Sequence, residues 1–189
     1  VLADATNVIA EGEVMQLMNC HNADIGIDEY LQVIRYKTAK LFQAAARLGG
    51  ILGDAGPDLE EGLARYGMHV GTAFQLIDDV LDYSGEEAET GKHLGDDLAE
   101  GKPTLPLIHV LKHGSREQAA CVRKAIEEGG HDSFAEVLAA VKATGALDAA
   151  CEHARAEAMI AIDAIAQLPP SIYKNALIEL STFSVTRKS

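Results

Sequence analysis

The sequence predicts an all-α domain, and three features carry that expectation. Apolar residues recur at three-and-four spacing through most of the 189 residues, strand-like alternation is nearly absent, and alanine, the strongest helix former, is abundant. With 48% hydrophobic content the chain is long enough to bury a core and falls within the size of one domain, 1–189.

The elements follow in order. The chain opens at Val1, with neither Met nor a capping residue before it, already inside a helical pattern of Val1, Ala5, Val8, Gly12 and Met15. A truncated N-terminus is the expectation. A polar stretch from Asn19 to Asp28 makes a loop. A second helix then carries Leu31, Ile34, Thr38, Leu41, Ala45 and Leu48 on one stripe and weakens at Gly49 and Gly50. Pro57, with Asp58, Glu60 and Glu61 in the first turn, announces a third helix, because acidic side chains suit the positive end of the helix dipole. This helix should run to about Tyr83. From Ser84 to Pro106 the composition turns to Gly, Lys, Asp and Glu, which reads as a long polar loop or a broken helix of the kind that often carries function. The remainder, punctuated by Gly114, Gly129, Gly130, Gly145, Pro169 and Pro170, reads as four or five shorter amphipathic helices.

Charge narrows the partners. Sixteen Lys plus Arg stand against 29 Asp plus Glu, a net charge of −13 whose field repels nucleic-acid backbones and anionic membranes. If a ligand is nonetheless anionic, carboxylate-bound divalent cations are the most direct way to invert the local field. Cys20, Cys121 and Cys151 are odd in number and widely spaced, so neither a disulfide framework nor a zinc site is suggested and a reducing cytoplasm fits. The seven histidines form no ligand cluster and receive no role. No apolar run approaches the ~18 residues of a membrane span.

The most informative segment is Phe74-Gln75-Leu76-Ile77-Asp78-Asp79-Val80-Leu81-Asp82, which sets three carboxylates in the last turns of an otherwise apolar helix. Residues four apart share a face, so Asp78 and Asp82 point the same way, and Asp79 is rotated about 100° from Asp78. Followed backwards, that face runs through Gln75, Gly71, Met68 and Ala64, the wall of a deep cavity. Leu59, Leu63, Tyr66, Val70, Ala73, Ile77 and Val80 make a neighbouring core face. Such carboxylates supply hard oxygen ligands for magnesium, which completes an octahedral shell with water and substrate phosphates. An isolated acidic turn of this kind would more often be a solvated helix end.

Two lysines follow, Lys92 and Lys102, in Gly91-Lys92-His93-Leu94-Gly95-Asp96-Asp97-Leu98-Ala99-Glu100-Gly101-Lys102-Pro103-Thr104-Leu105-Pro106. A flexible ammonium can cover the outer oxygens of a metal-bound diphosphate. Together, the FQLIDDVLDY and GK..GDDL.EGKPTLP segments resemble the second aspartate-rich region of trans-prenyl diphosphate synthases. Upstream, Ile34-Arg35-Tyr36-Lys37-Thr38-Ala39-Lys40-Leu41-Phe42 resembles that family's Lys-Thr helix, and Ile9-Ala10-Glu11-Gly12-Glu13-Val14-Met15-Gln16-Leu17 its preceding active-site helix. The likeness covers essentially the whole chain and is nearest to long-chain bacterial members that make quinone side chains.

The resemblance implies an isoprenoid-synthase-type helical bundle, apparently without its N-terminal helices, and a magnesium-dependent transferase that joins isopentenyl diphosphate to an allylic diphosphate of the farnesyl class. It also implies that Lys37, Thr38, Gln75, Lys92 and Lys102 contact the allylic diphosphate, that Asp78 binds magnesium, and that Asp79 and Asp82 complete the metal shell. Asp78, Asp79 and Lys92 are the candidate catalytic set. A homodimer is the expected assembly, and the cytoplasm, with peripheral membrane contact, the expected location. The family's first DDxxD motif and its arginine pair are missing from this sequence. Asp96-Asp97-Leu98-Ala99-Glu100 does not replace them, because Gly95 and Gly101 place it in the loop. The chain alone is therefore expected to be inactive. Two other readings stay open: a non-catalytic helical subunit of a heteromeric synthase, and a terpene cyclase.

Overall fold

The computed structural model describes residues 1–84, 94–130 and 133–187, and among these every regular element is a helix. The opening helix α1 spans Leu2–Asn19. The expected second helix is three pieces in succession: α2, Ile27–Ile34; a π-helical segment, Arg35–Ala39; and α3, Lys40–Leu52. Helix α3 passes through Gly49 and Gly50 instead of ending there. Gly50 is buried, and a Cβ on it would stand 3.1 Å from Leu63 and 3.4 Å from Glu60, so its bare backbone serves a close helix approach.

The long helix α4, Pro57–Ser84, starts on the expected proline with Asp58 and Glu60 in its first turn. Among the described residues after it stands a helical turn, α5, Asp96–Ala99, entered through Gly95 at φ 82 and left through Gly101 at φ 69. Among the described residues five helices follow: α6, Leu105–His113; α7, Arg116–Glu128; α8, Phe134–Ala143; α9, Ala146–Ala164; and α10, Ile172–Thr186. Two of their starts are fixed by local side-chain caps. Ser115 and Gln118 form a capping box at α7, and Ser171 accepts the Lys174 N–H at 3.1 Å to open α10.

The chain divides into two compact units. The first comprises Val1–Val14, Gln32–Gln75 and His153–Arg187, with a core of Tyr66, Val70, Ala161 and Ile165 against which Phe42, Leu63, Leu168 and Leu177 pack. Tyr66 Oη donates to the Leu177 carbonyl at 2.8 Å and Arg187 Nη2 to the Phe74 carbonyl at 3.1 Å, so the middle of α10 and its C-terminal cap are fastened to α4. The second unit contains Met15–Leu31 and Leu76–Glu152, and its core gathers Tyr83, Leu98, Leu107, Val110, Val122, Ile126, Val137 and Val141.

Candidate functional site

The first unit carries the π-helical segment. The Lys40 N–H donates to the Arg35 carbonyl five residues back, which opens the helix by one residue where Lys37 and Thr38 stand. Neighbouring backbones close at two glycines on the segment and at a third on the start of α3. A Cβ on Gly12 of α1 would overlap the Lys37 nitrogen, and one on Gly71 of α4 would lie 2.6 Å from the Ala39 Cα. One on Gly67 would overlap the Phe42 carbonyl. Thr38 Oγ1 donates to Gln75 Oε1 at 3.1 Å, and Lys37 Nζ pairs with Glu13 at 2.7 Å. The Lys37 pair is largely exposed, so it adds little stability and leaves the ammonium exchangeable toward an anion. Beside them, Glu157 of α9 accepts from Arg35 Nη2 at 3.0 Å and meets His69 Nδ1 at 2.5 Å.

The second unit holds the carboxylates. Asp79 is 3% exposed, and Tyr30 Oη donates to its Oδ2 at 2.6 Å. Burial, and then the charge of Asp79, raise the Tyr30 phenol well above its ordinary range, so Tyr30 keeps the proton it donates. Asp78 and Asp82 are half-buried. Burial, and then the negative charge of Asp97, push Asp82 up to about 7, although the Asp97 N–H reaches its Oδ2 at 3.4 Å. Lys102 Nζ lies 2.9 Å from Asp97 and 2.7 Å from Glu100. Burial alone would lower its pKa, but the Glu100 hydrogen bond and the Asp97 charge outweigh that and raise it, so Lys102 stays an ammonium. The turn bearing Lys102 is docked on His21, whose N–H donates to the Gly101 carbonyl at 2.8 Å.

Among the described residues, no three carboxylates, imidazoles or thiols converge into a closed metal cage. The donors are nevertheless hard oxygens with a surplus of negative charge at Asp82 and Asp97. That set fits a cation that brings water and phosphate oxygens of its own.

A family model for polyprenyl synthetases matches residues 1–143. The chain belongs to the polyprenyl synthetase family. It is 50% identical over 188 residues to octaprenyl diphosphate synthases of Haemophilus influenzae and Escherichia coli, matching 99% of this chain and 57% and 58% of theirs. Its fold matches a polyprenyl synthase from Caulobacter crescentus, solved with calcium and isoprenyl diphosphate, at a TM-score of 0.94 and 39% identity over all of this chain and 58% of that one. A decaprenyl diphosphate synthase from Rhodobacter capsulatus matches at 0.91, also at 39% identity and 58% of its length. This polyprenyl synthetase chain thus spans little more than half the length of those relatives.

Lys37, Thr38 and Gln75 lie in the first unit, and Asp78, Asp79, Asp82 and Lys102 in the second. Thr38 and Gln75 are brought into contact; Lys92 lies outside the described residues. Sequence reasoning passed over Tyr30, His21 and the Arg35, His69 and Glu157 group. Each lies far in sequence from its partner, so no local pattern signals it. Gly12 and Gly71 were legible only as members of helical stripes.

Proposed function

We propose that this chain is the diphosphate-binding and metal-binding portion of a trans-prenyltransferase of the octaprenyl type. Such an enzyme condenses isopentenyl diphosphate with an allylic diphosphate of the farnesyl class to make an all-trans polyprenyl diphosphate for quinone side chains. The observation that carries the reading is the π-helical Lys37-Thr38 segment, wedged by Gly12 and Gly71 and hydrogen-bonded to Gln75, in a chain whose Asp78-Asp79-Val80-Leu81-Asp82 motif follows on the same helix as Gln75.

Magnesium bound by Asp78 and Asp82, with Asp79 tied to Tyr30 in the shell behind them, would supply the positive charge that stabilises the departing diphosphate. Lys37 and Thr38 bind and orient the diphosphate oxygens, with Gln75 setting the Thr38 hydroxyl. Lys102 stays charged and serves as a further cation toward the same group, and Lys92 is assigned the same task from the sequence pattern. A second copy of the chain is the proposed partner, supported by the exposed apolar side chains Val14, Leu17 and Met18 on α1. Cytoplasmic location with peripheral membrane contact is part of this proposal, on the ground of the lipid product; separately, no helix among the described residues is long and apolar enough to span a membrane.

The test has two parts. The purified chain should bind farnesyl diphosphate with magnesium in calorimetry yet incorporate no isopentenyl diphosphate. Elongation should appear once the N-terminal portion of the Escherichia coli octaprenyl relative is joined ahead of Val1. In that joined protein Asp78→Ala should lower turnover by at least roughly 100-fold, the scale of losing one electrostatic group at a developing charge. Unchanged turnover at saturating magnesium would remove Asp78 from the metal shell. Elongation by the unjoined chain would overturn the division of labour.

A further inference from the structure

Glu157 lies beyond the segment matched by the family model, on α9, and the mechanism above makes no use of it. It is nevertheless 9% exposed, an unusual place for a carboxylate unless both oxygens are engaged. They are: Oε1 accepts from Arg35 Nη2 at 3.0 Å, and Oε2 lies 2.5 Å from His69 Nδ1. Burial alone would raise the Glu157 pKa, but His69 and then Arg35 outweigh it and hold Glu157 below the ordinary carboxylate range, so it remains an anion between them.

The two partners are informative by position. Arg35 is the first residue of the π-helical segment, and Lys37 and Thr38 follow within that segment. His69 stands on α4 between Gly67 and Gly71, the two glycines against which Ala39 and Phe42 press. One carboxylate thus ties the start of the segment to the part of α4 that receives its end. Packing does not do this on the same side, because Arg35, Tyr36, Lys40, Met68 and His69 line an open cavity of about 400 Å³. A π turn has poorer hydrogen-bond geometry than an α-helix and persists where its surroundings impose it. The glycine contacts hold its middle and end; Glu157 holds its beginning.

We propose that Glu157 is a positioning residue for the diphosphate end of the site, fixing through Arg35 and His69 the register of the π-helical segment that presents Lys37 and Thr38. The proposal rests on the functional reading above, because it takes Lys37 and Thr38 to be the groups that meet a diphosphate. Removing the Glu157 charge should let the segment relax toward α-helical pairing and withdraw Lys37 from its place without touching the ligand.

Two measurements on the 189-residue chain test this. Amide hydrogen exchange of Glu157→Gln should quicken at Tyr36, Lys37, Thr38 and Ala39 while the amides of α3 and α10 keep their wild-type rates. Calorimetric affinity for inorganic pyrophosphate with magnesium should fall about tenfold, a coupling of ordinary size for groups in one network. In a Lys37→Gln background the same change should cost less than about twofold, since a positioning effect disappears with the group it positions. Arg35→Gln, at a half-exposed position, should reproduce the local exchange and the affinity loss if Glu157→Gln does not fold. Wild-type affinity in Glu157→Gln, with Lys37→Gln still weakened, overturns the proposal and leaves the functional reading standing. Exchange that rises throughout the first unit also overturns it, as Glu157 would then be a general structural charge. Should the wild-type chain bind no pyrophosphate while Lys37→Gln is equally silent, the functional reading itself falls and takes this inference with it.

Discussion

Two carboxylates of this chain respond to pH in opposite directions, and the difference separates binding from folding. Asp82 rises from an ordinary 3.8 to about 7 through burial and the charge of Asp97. Between those values the folded chain holds a proton that the unfolded chain has released, so metal-free stability falls as pH rises through that window. A cation must displace the same proton. Magnesium affinity should therefore climb with pH to about 7 and then level, with proton release visible in calorimetry across buffers of different ionisation enthalpy. Asp82→Asn should abolish the release; a pH-independent affinity in the wild type would exclude Asp82 from the metal shell. Glu157 carries the reverse sign, since its folded pKa lies below the ordinary 4.5: its contribution is present above that value and is lost as acid titrates the folded pKa. Asp82 was legible because it sits in a dense motif on one helix. Glu157 was not, because its meaning depends on Arg35 and His69, which lie 122 and 88 residues away in the chain.

At the scale of elements, most of the fold could be read in advance because the helix signals are local. Pro57 with its acidic first turn and the apolar spacing of α4 each act within a few residues, and both predicted what the structure contains. The π-helical segment could not be read this way. Arg35-Tyr36-Lys37-Thr38-Ala39 has no unusual composition, and its geometry is imposed by glycines on two other helices. The packing role of Gly50 could not be read either: the sequence shows only that the helix weakens near its end, which comes at Leu52, while the close approach to Leu63 is visible only in space. These glycines should therefore behave differently on substitution. Gly71→Ala places a methyl carbon 2.6 Å from the Ala39 Cα and should destabilise by about 1–3 kcal/mol, the range for overpacking, while weakening pyrophosphate binding. Gly49→Ala meets nothing within 4 Å and should stabilise by about 0.5–1 kcal/mol through backbone entropy with binding unchanged. Urea denaturation of both variants, alongside calorimetry, checks the contrast; equal effects would mean that the wedge does not shape the segment.

For the whole molecule the governing fact is the net charge of −13, which opposes the anionic diphosphate proposed above as its ligand. Lys37 and Lys102 are already paired with Glu13, Asp97 and Glu100, so these side chains alone offer a diphosphate little uncompensated positive charge. The carboxylates make matters worse for an approaching anion until a divalent cation is bound, after which the local field changes sign. Diphosphate affinity should accordingly be almost wholly metal-dependent. Chelation with EDTA should weaken pyrophosphate binding to the chain by at least roughly 100-fold, the equivalent of about 2.7 kcal/mol. Adding sodium chloride to the chelated protein should not restore it, because screening removes the repulsion and the lysine attraction together. If the chelated chain bound pyrophosphate as tightly as the magnesium-loaded one, the lysines rather than the carboxylates would be the diphosphate receptor. Asp78 and Asp82 would then have to be reassigned from holding a cation to bracing the turn that carries Lys102.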